Sequence, residues 1–165
     1  MRRNALIVGA LSLVFAATSA TAQDKPNFSG SWTLVVDPNA AAPTGRGGRG
    51  GGAGLGPAAT LTQDANTLTI TRTTQAGEIK TVFNLDGSDS KNMMMGRGGQ
   101  TEQVSKAVWE GNKLVVSTTF SMGENTVTRT QTFSLDASGQ LVVEVTNPGR
   151  GGGAPVTTTM TYKKG

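Results

Sequence analysis

The sequence predicts an all-β fold, an antiparallel up-and-down barrel of about eight to ten strands. Three observations predict it. After the first 22 residues no segment carries a helical apolar period; apolar residues instead alternate with Thr and Ser in short runs. The runs are separated by compact turn signals such as Asp86-Gly87 and the DASGQ of 136–140, and short links make neighbouring strands antiparallel. The chain holds no cysteine, so its stability must come from a core or a closed sheet. A meander of this size leaves two exposed edges unless it closes on itself.

Taken in order, the first strand covers 28–37, with Phe28, Gly30, Trp32, Leu34 and Val36 on one face. The segment 59–74 is a hairpin about a turn at 64–66. Leu68 and Ile70 alternate there with Thr67, Thr69, Thr71 and Thr73. A turn at Gly77 leads into 78–85, and Asp86-Gly87 leads into 88–95, the run with the least regular alternation. Strands at 101–109, 112–121, 125–135, 140–147 and 155–164 follow. Thr126, Thr128, Thr130, Thr132 and Ser134 form an outward ladder, because a branched Cβ suits the pleat and the hydroxyl stays wet.

Gly/Arg-rich segments at 43–57, 96–99 and 149–153 interrupt this pattern. Read alone, PTGRGGRGGGAGLGP (43–57) resembles the RGG tracts of RNA-binding proteins. In a meander, successive connections alternate between the two ends of the sheet. With 88–95 counted as the fifth strand, all three segments fall on odd connections and share one end, so they are expected to be loops around one rim. Their arginines are Arg46, Arg49, Arg97 and Arg150. Such loops can carry guanidiniums and backbone N–H groups to an anionic surface, or simply be tolerated Gly-rich insertions.

The ends and composition bound the function. Residues 1–22 have the order of a secretory signal peptide: Arg2 and Arg3, an apolar run at 5–17, then small residues ending in Ala20-Thr21-Ala22. The apolar run is short for a membrane span. A single domain over 23–165, periplasmic or secreted and without a stable membrane anchor after cleavage, is the expectation. The net charge is only +4, part of it from the leader, which is low for a nucleic-acid binder. No partner of that kind is expected. There is no histidine and no cysteine, which removes the commonest general base and the usual zinc ligands. No Asp/Glu cluster has calcium-loop spacing. No catalytic residue, metal or cofactor is therefore assigned. Met93, Met94 and Met95 read as packing residues.

The NFSGSW stretch at 27–32 resembles the opening of lipocalins and fatty-acid-binding proteins, the calycin group, in which Phe-x-Gly-x-Trp begins the first strand. The segments at 61–72, 85–90 and 109–116 are similar to corresponding segments of small exported lipocalin-like bacterial proteins. The resemblance spans most of 27–164. It implies that Trp32 plugs the closed barrel end, with Lys163 or Lys164 across its indole face and Gly30 admitting a neighbouring backbone. Fatty-acid-binding proteins end in an Arg-x-Tyr carboxylate clamp. Here Met160 stands where that Arg would be, so the clamp does not carry over.

Alternation puts Arg72 in phase with Leu68 and Ile70, and Arg129 in phase with Val127, Gln131 and Phe133. Both guanidiniums then point inward, where a charge needs water, an acid or an anionic ligand. Arg72, Arg129, Gln131 and Tyr162 are the candidate polar lining of a cavity. The expected function is non-catalytic binding of a small, partly apolar or anionic molecule inside the barrel. The alternative is a structural or interaction protein of the cell envelope whose Gly/Arg rim contacts a polyanion or partner.

Overall fold

Thr- and Val-rich alternation forms ten strands in the computed structural model, which describes residues 25–36, 54–75, 77–96, 99–122, 125–149 and 153–165. The strands are β1 (Gly30–Leu34), β2 (Ala58–Gln63), β3 (Thr67–Thr74), β4 (Gly77–Asn84), β5 (Asp89–Gly96), β6 (Gly99–Glu110), β7 (Lys113–Met122), β8 (Asn125–Leu135), β9 (Leu141–Asn147) and β10 (Val156–Lys164). They make one antiparallel up-and-down sheet, ordered β4-β3-β2-β1-β10-β9-β8-β7-β6-β5, which curls into a nearly closed barrel. Every neighbouring pair is consecutive in the chain except β1 and β10, which pair Trp32 with Lys164 and Leu34 with Tyr162. Among the described residues no helix is long and apolar enough to cross a membrane.

The run at 88–95 is a full strand, paired with β6 from Asp89↔Lys106 to Gly96↔Gly99. The parity argument therefore holds for the strands. The β1–β2, β5–β6 and β9–β10 connections all join strand ends on one side, and the tight turns after β2, β4, β6 and β8 lie on the other. The expected signal peptide (1–22) and the expected rim arginines Arg46, Arg49, Arg97 and Arg150 lie outside the described residues.

Short polar side chains shape the tight turns. Asp64 accepts from the N–H groups of Asn66 and Thr67, both at 2.7 Å, and from the Thr67 hydroxyl at 2.9 Å. Asp136 accepts from the N–H of Ser138 and of Gln140. These carboxylates satisfy backbone donors that the turn removes from the ladder.

The first strand is shorter than alternation suggests. The chain bends at Gly30, whose φ is +147°, and Phe28 folds under the barrel. Its N–H is held by Gln63 Oε1 at 2.9 Å. Phe28 stacks on Trp109 with centroids 5.8 Å apart and tilts against Phe133 at 6.2 Å. Trp32 Nε1 donates to the Phe28 carbonyl at 2.8 Å. With Leu68, Leu85, Leu114 and Leu141, these residues belong to one buried apolar core. Lys164, not Lys163, lies over the Trp32 indole, its Nζ 5.7 Å from the ring centroid. Alternation explains the difference: Tyr162 and Lys164 share one face of β10, and Lys163 is exposed on the other. Gly30 makes room for the Lys164 stem rather than for a backbone. A Cβ there would lie 2.6 Å from Lys164 Cε.

The barrel closes between β4 and β5 without a backbone ladder. Side chains do the joining. Asn92 Oδ1 accepts from the Val82 N–H at 2.8 Å, and Asn92 Nδ2 donates to the Val82 carbonyl at 2.9 Å. One amide thus imitates a strand partner. Nearer the turn, the Asn84 N–H donates to Ser90 Oγ at 2.7 Å, and Asn84 Nδ2 donates to the Asp89 carbonyl at 3.0 Å.

Candidate functional site

Inward-facing positions change character along the barrel. Near the tight turns they are Leu, Phe and Val. Toward the other end β3 contributes Arg72, β6 contributes Gln103 and Ser105, β7 contributes Thr118, and β8 contributes Arg129 and Gln131. The cause is the strict period of two: each of these residues continues an inward phase that starts apolar, as in Leu68-x-Ile70-x-Arg72. Thr81, Phe83, Asn92 and Met94 approach from the seam, and Gly54 and Leu55 from the chain entering β2. Together they line a cavity of about 40 Å³ that is partly open to solvent, room for a few waters or one small ion.

Two guanidiniums dominate this cavity. Arg72 and Arg129 are half-buried, and the Nε of each is buried without a hydrogen-bond partner. Among the described residues the ion pairs are Lys91–Glu102 and Lys106–Asp89, both exposed, so no carboxylate neutralises either arginine. Burial holds the Arg72 pKa below the usual arginine value, against a smaller opposing influence of Tyr162. Burial also lowers that of Arg129, and the like charge of Arg72 lowers it further. Both remain cations at any physiological pH. Arg129 also rests 5.7 Å from the Phe120 ring centroid, a cation–π contact.

The neutral polar groups are more fully committed. The Ser105 and Thr118 hydroxyls bond each other at 2.9 Å, and Asn92 is held by Val82. Gln131 is buried. Tyr162 is fully buried but does not line the cavity. Its hydroxyl accepts from the Leu55 N–H at 3.1 Å and donates to Met160 Sδ at 3.6 Å. Burial raises its pKa, opposed by the Leu55 hydrogen bond and the Arg72 charge. This anchor draws Leu55 into the barrel mouth. Gly54 permits it: its φ is +78°, and a Cβ would meet Met160 and lie 3.1 Å from the Tyr162 hydroxyl.

Of the residues singled out in the sequence, Arg72, Arg129 and Gln131 meet around one cavity; Tyr162 supports its wall. Gln103, Ser105 and Thr118 were not singled out, although alternation through Ala107 and through Leu114 and Val116 places them on the same face. Leu55 and Gly54 had no periodic signal, because they reach the cavity from an irregular segment. Among the described residues the arrangement offers donors and no ionised acceptor, a combination suited to holding an anion. No family model matches the chain, and no curated protein sequence matches it.

Proposed function

We propose that the protein is a lipocalin-like, exported, non-catalytic binding protein that takes a small anionic ligand in the polar end of its barrel. The observation that carries this reading is the pair of inward guanidiniums, each with a buried Nε that has no bond, and neither with a carboxylate partner, among the described residues. A buried donor left unmade is costly, and an unpaired buried charge more so. A bound anion satisfies both. The leader pattern supports a periplasmic or secreted location. Isothermal calorimetry of the protein with a panel of small anions tests the reading, with Arg72→Met/Arg129→Met as the comparison. Saturable heat in the parent chain and none in the double variant is expected. Equal heats, or none in either, would overturn it.

A second reading has its own support. The turn end is an apolar core, and the cavity of about 40 Å³ falls far short of the roughly 300 Å³ that a drug-sized ligand needs. The three connections containing Gly/Arg tracts also join strands at one end. These features suit a structural barrel whose rim meets an envelope polyanion. Retention on a heparin column that is lost in Arg46→Ala/Arg49→Ala but kept in Arg72→Met/Arg129→Met would favour it.

A further inference from the structure

We infer that the cavity selects a doubly charged, free tetrahedral oxyanion of the sulfate or hydrogen-phosphate type over a singly charged carboxylate. The inference rests on the anion-binding reading and specifies its ligand. Charge counting is the first step. Among the described residues two cations face one cavity, and Arg129 is disfavoured by the charge of Arg72. No lysine and no carboxylate lines the space among the described residues. A monoanion entering it leaves one net positive charge behind a partly apolar wall, whereas a dianion cancels both. At half-buried sites that residual charge is screened less than it would be in water.

Geometry is the second step. Arg72 projects from β3 and Arg129 from β8, strands on opposite sides of the β1–β10 pair in the sheet order. A planar carboxylate presents its two oxygens to one fork. A tetrahedral ion presents oxygens in several directions and can meet two forks at once, with the Gln103 and Gln131 amides beside them. Size is the third. A volume of about 40 Å³ takes such an ion, and a body larger than a methyl group is left in the open mouth.

The pH behaviour follows without interference from the protein. Among the described residues the charged or titratable groups at the cavity are Arg72 and Arg129, with Tyr162 beyond Leu55; the chain has no histidine. None of these changes charge between pH 5 and pH 8. A phosphate monoester does, with a second pKa of about 6.

Calorimetry at constant ionic strength, using the full chain, tests the inference with sulfate, acetate, methyl phosphate and phenyl phosphate. Calorimetry is chosen because sulfate raises melting temperatures without binding. Sulfate is expected to bind at least about tenfold more tightly than acetate. Methyl phosphate should tighten several-fold from pH 5 to pH 7.5 while sulfate stays level. Phenyl phosphate, with equal charge on a larger body, should bind at least about tenfold more weakly than methyl phosphate. In Arg72→Gln, which keeps a polar side chain, the preference for sulfate over acetate should shrink to about threefold or less. Acetate matching sulfate, or methyl phosphate indifferent to pH, would overturn the dianion inference and leave the anion site standing. Phenyl phosphate matching methyl phosphate would overturn the free-ion part. No binding of any probe would overturn the site itself.

Discussion

Replacing Asn92 by alanine tests how the barrel is closed. The Asn92 amide makes two hydrogen bonds to Val82, at 2.8 and 2.9 Å, where a neighbouring strand would ordinarily make them. A hydrogen bond of this kind contributes about 0.5–1.5 kcal/mol net. Val82 is half-buried, so water recovers part of the loss, and Asn92→Ala should destabilise the fold by about 1–2 kcal/mol. In urea the midpoint should fall by about 0.5–1 M with an unchanged slope, taking about 2 kcal/mol per M for that slope. Hydrogen exchange gives the local readout. The Val82 amide should lose about tenfold in protection, a 1.4 kcal/mol effect. The Asn84 amide, bonded to Ser90 Oγ, should lose less. An unchanged Val82 exchange rate together with an unchanged midpoint would refute the claim that this side chain stands in for the missing ladder.

Arg129→Met should stabilise the anion-free protein by about 1–2 kcal/mol, because a partly buried charge repelled by Arg72 gives way to an apolar side chain of similar length; thermal melts in low-salt buffer would reveal the sign. Gly30→Ala should destabilise by about 1–3 kcal/mol through positive-φ strain and through the 2.6 Å approach of the new Cβ to Lys164 Cε. Adding Lys164→Ala should recover only the steric part, and tryptophan fluorescence would report displacement of Lys164 from Trp32. Asp64 titrates below the usual carboxylate range because of the Asn66 N–H, then the Thr67 hydroxyl and N–H. Its folded pKa lies below the unfolded one, so its contribution is complete above the ordinary value of 3.8 and is lost as pH falls through the folded pKa. Asp64→Asn should therefore flatten the acid limb of a stability–pH curve below pH 4 or so, measured by urea midpoints.

The strand plan was legible because alternation and turn chemistry are local. Leu68 and Ile70 define a face, Asp64 and Asp86 bend the chain beside it, and neither fact needs a distant partner. The inward aim of Arg72 and Arg129 followed from the same period, since a strand that keeps its register cannot turn one residue around. What local pattern does not carry is anything made by meeting. The bend at Gly30 that removes Phe28 from the first strand depends on Gln63 as a receiver. The seam depends on an asparagine whose sequence neighbourhood, SKNMMM, reads as an indifferent strand. Lys163 and Lys164 were not separable until the register of β10 against β1 set their faces. Leu55 lines the cavity with its N–H held by Tyr162 of β10, a pairing between positions 107 apart in the chain.

The sheet order has a further consequence for how the chain is threaded. The Gly165 N–H already bonds the Ser31 carbonyl at 2.8 Å, so the end of β10 and the approach to β1 are adjacent. The seam, by contrast, separates two strands that follow one another. Joining residue 165 to residue 25 and opening the chain in the 85–88 turn would give a circular permutant running β5 to β10 and then β1 to β4. Every ladder would then join strands consecutive in the new chain, and the one long-range pairing of the natural order would disappear. Folding rates rise as pairings become more local, and new termini in an exposed turn are generally tolerated. The rearranged chain should reach the same barrel sooner than the natural one.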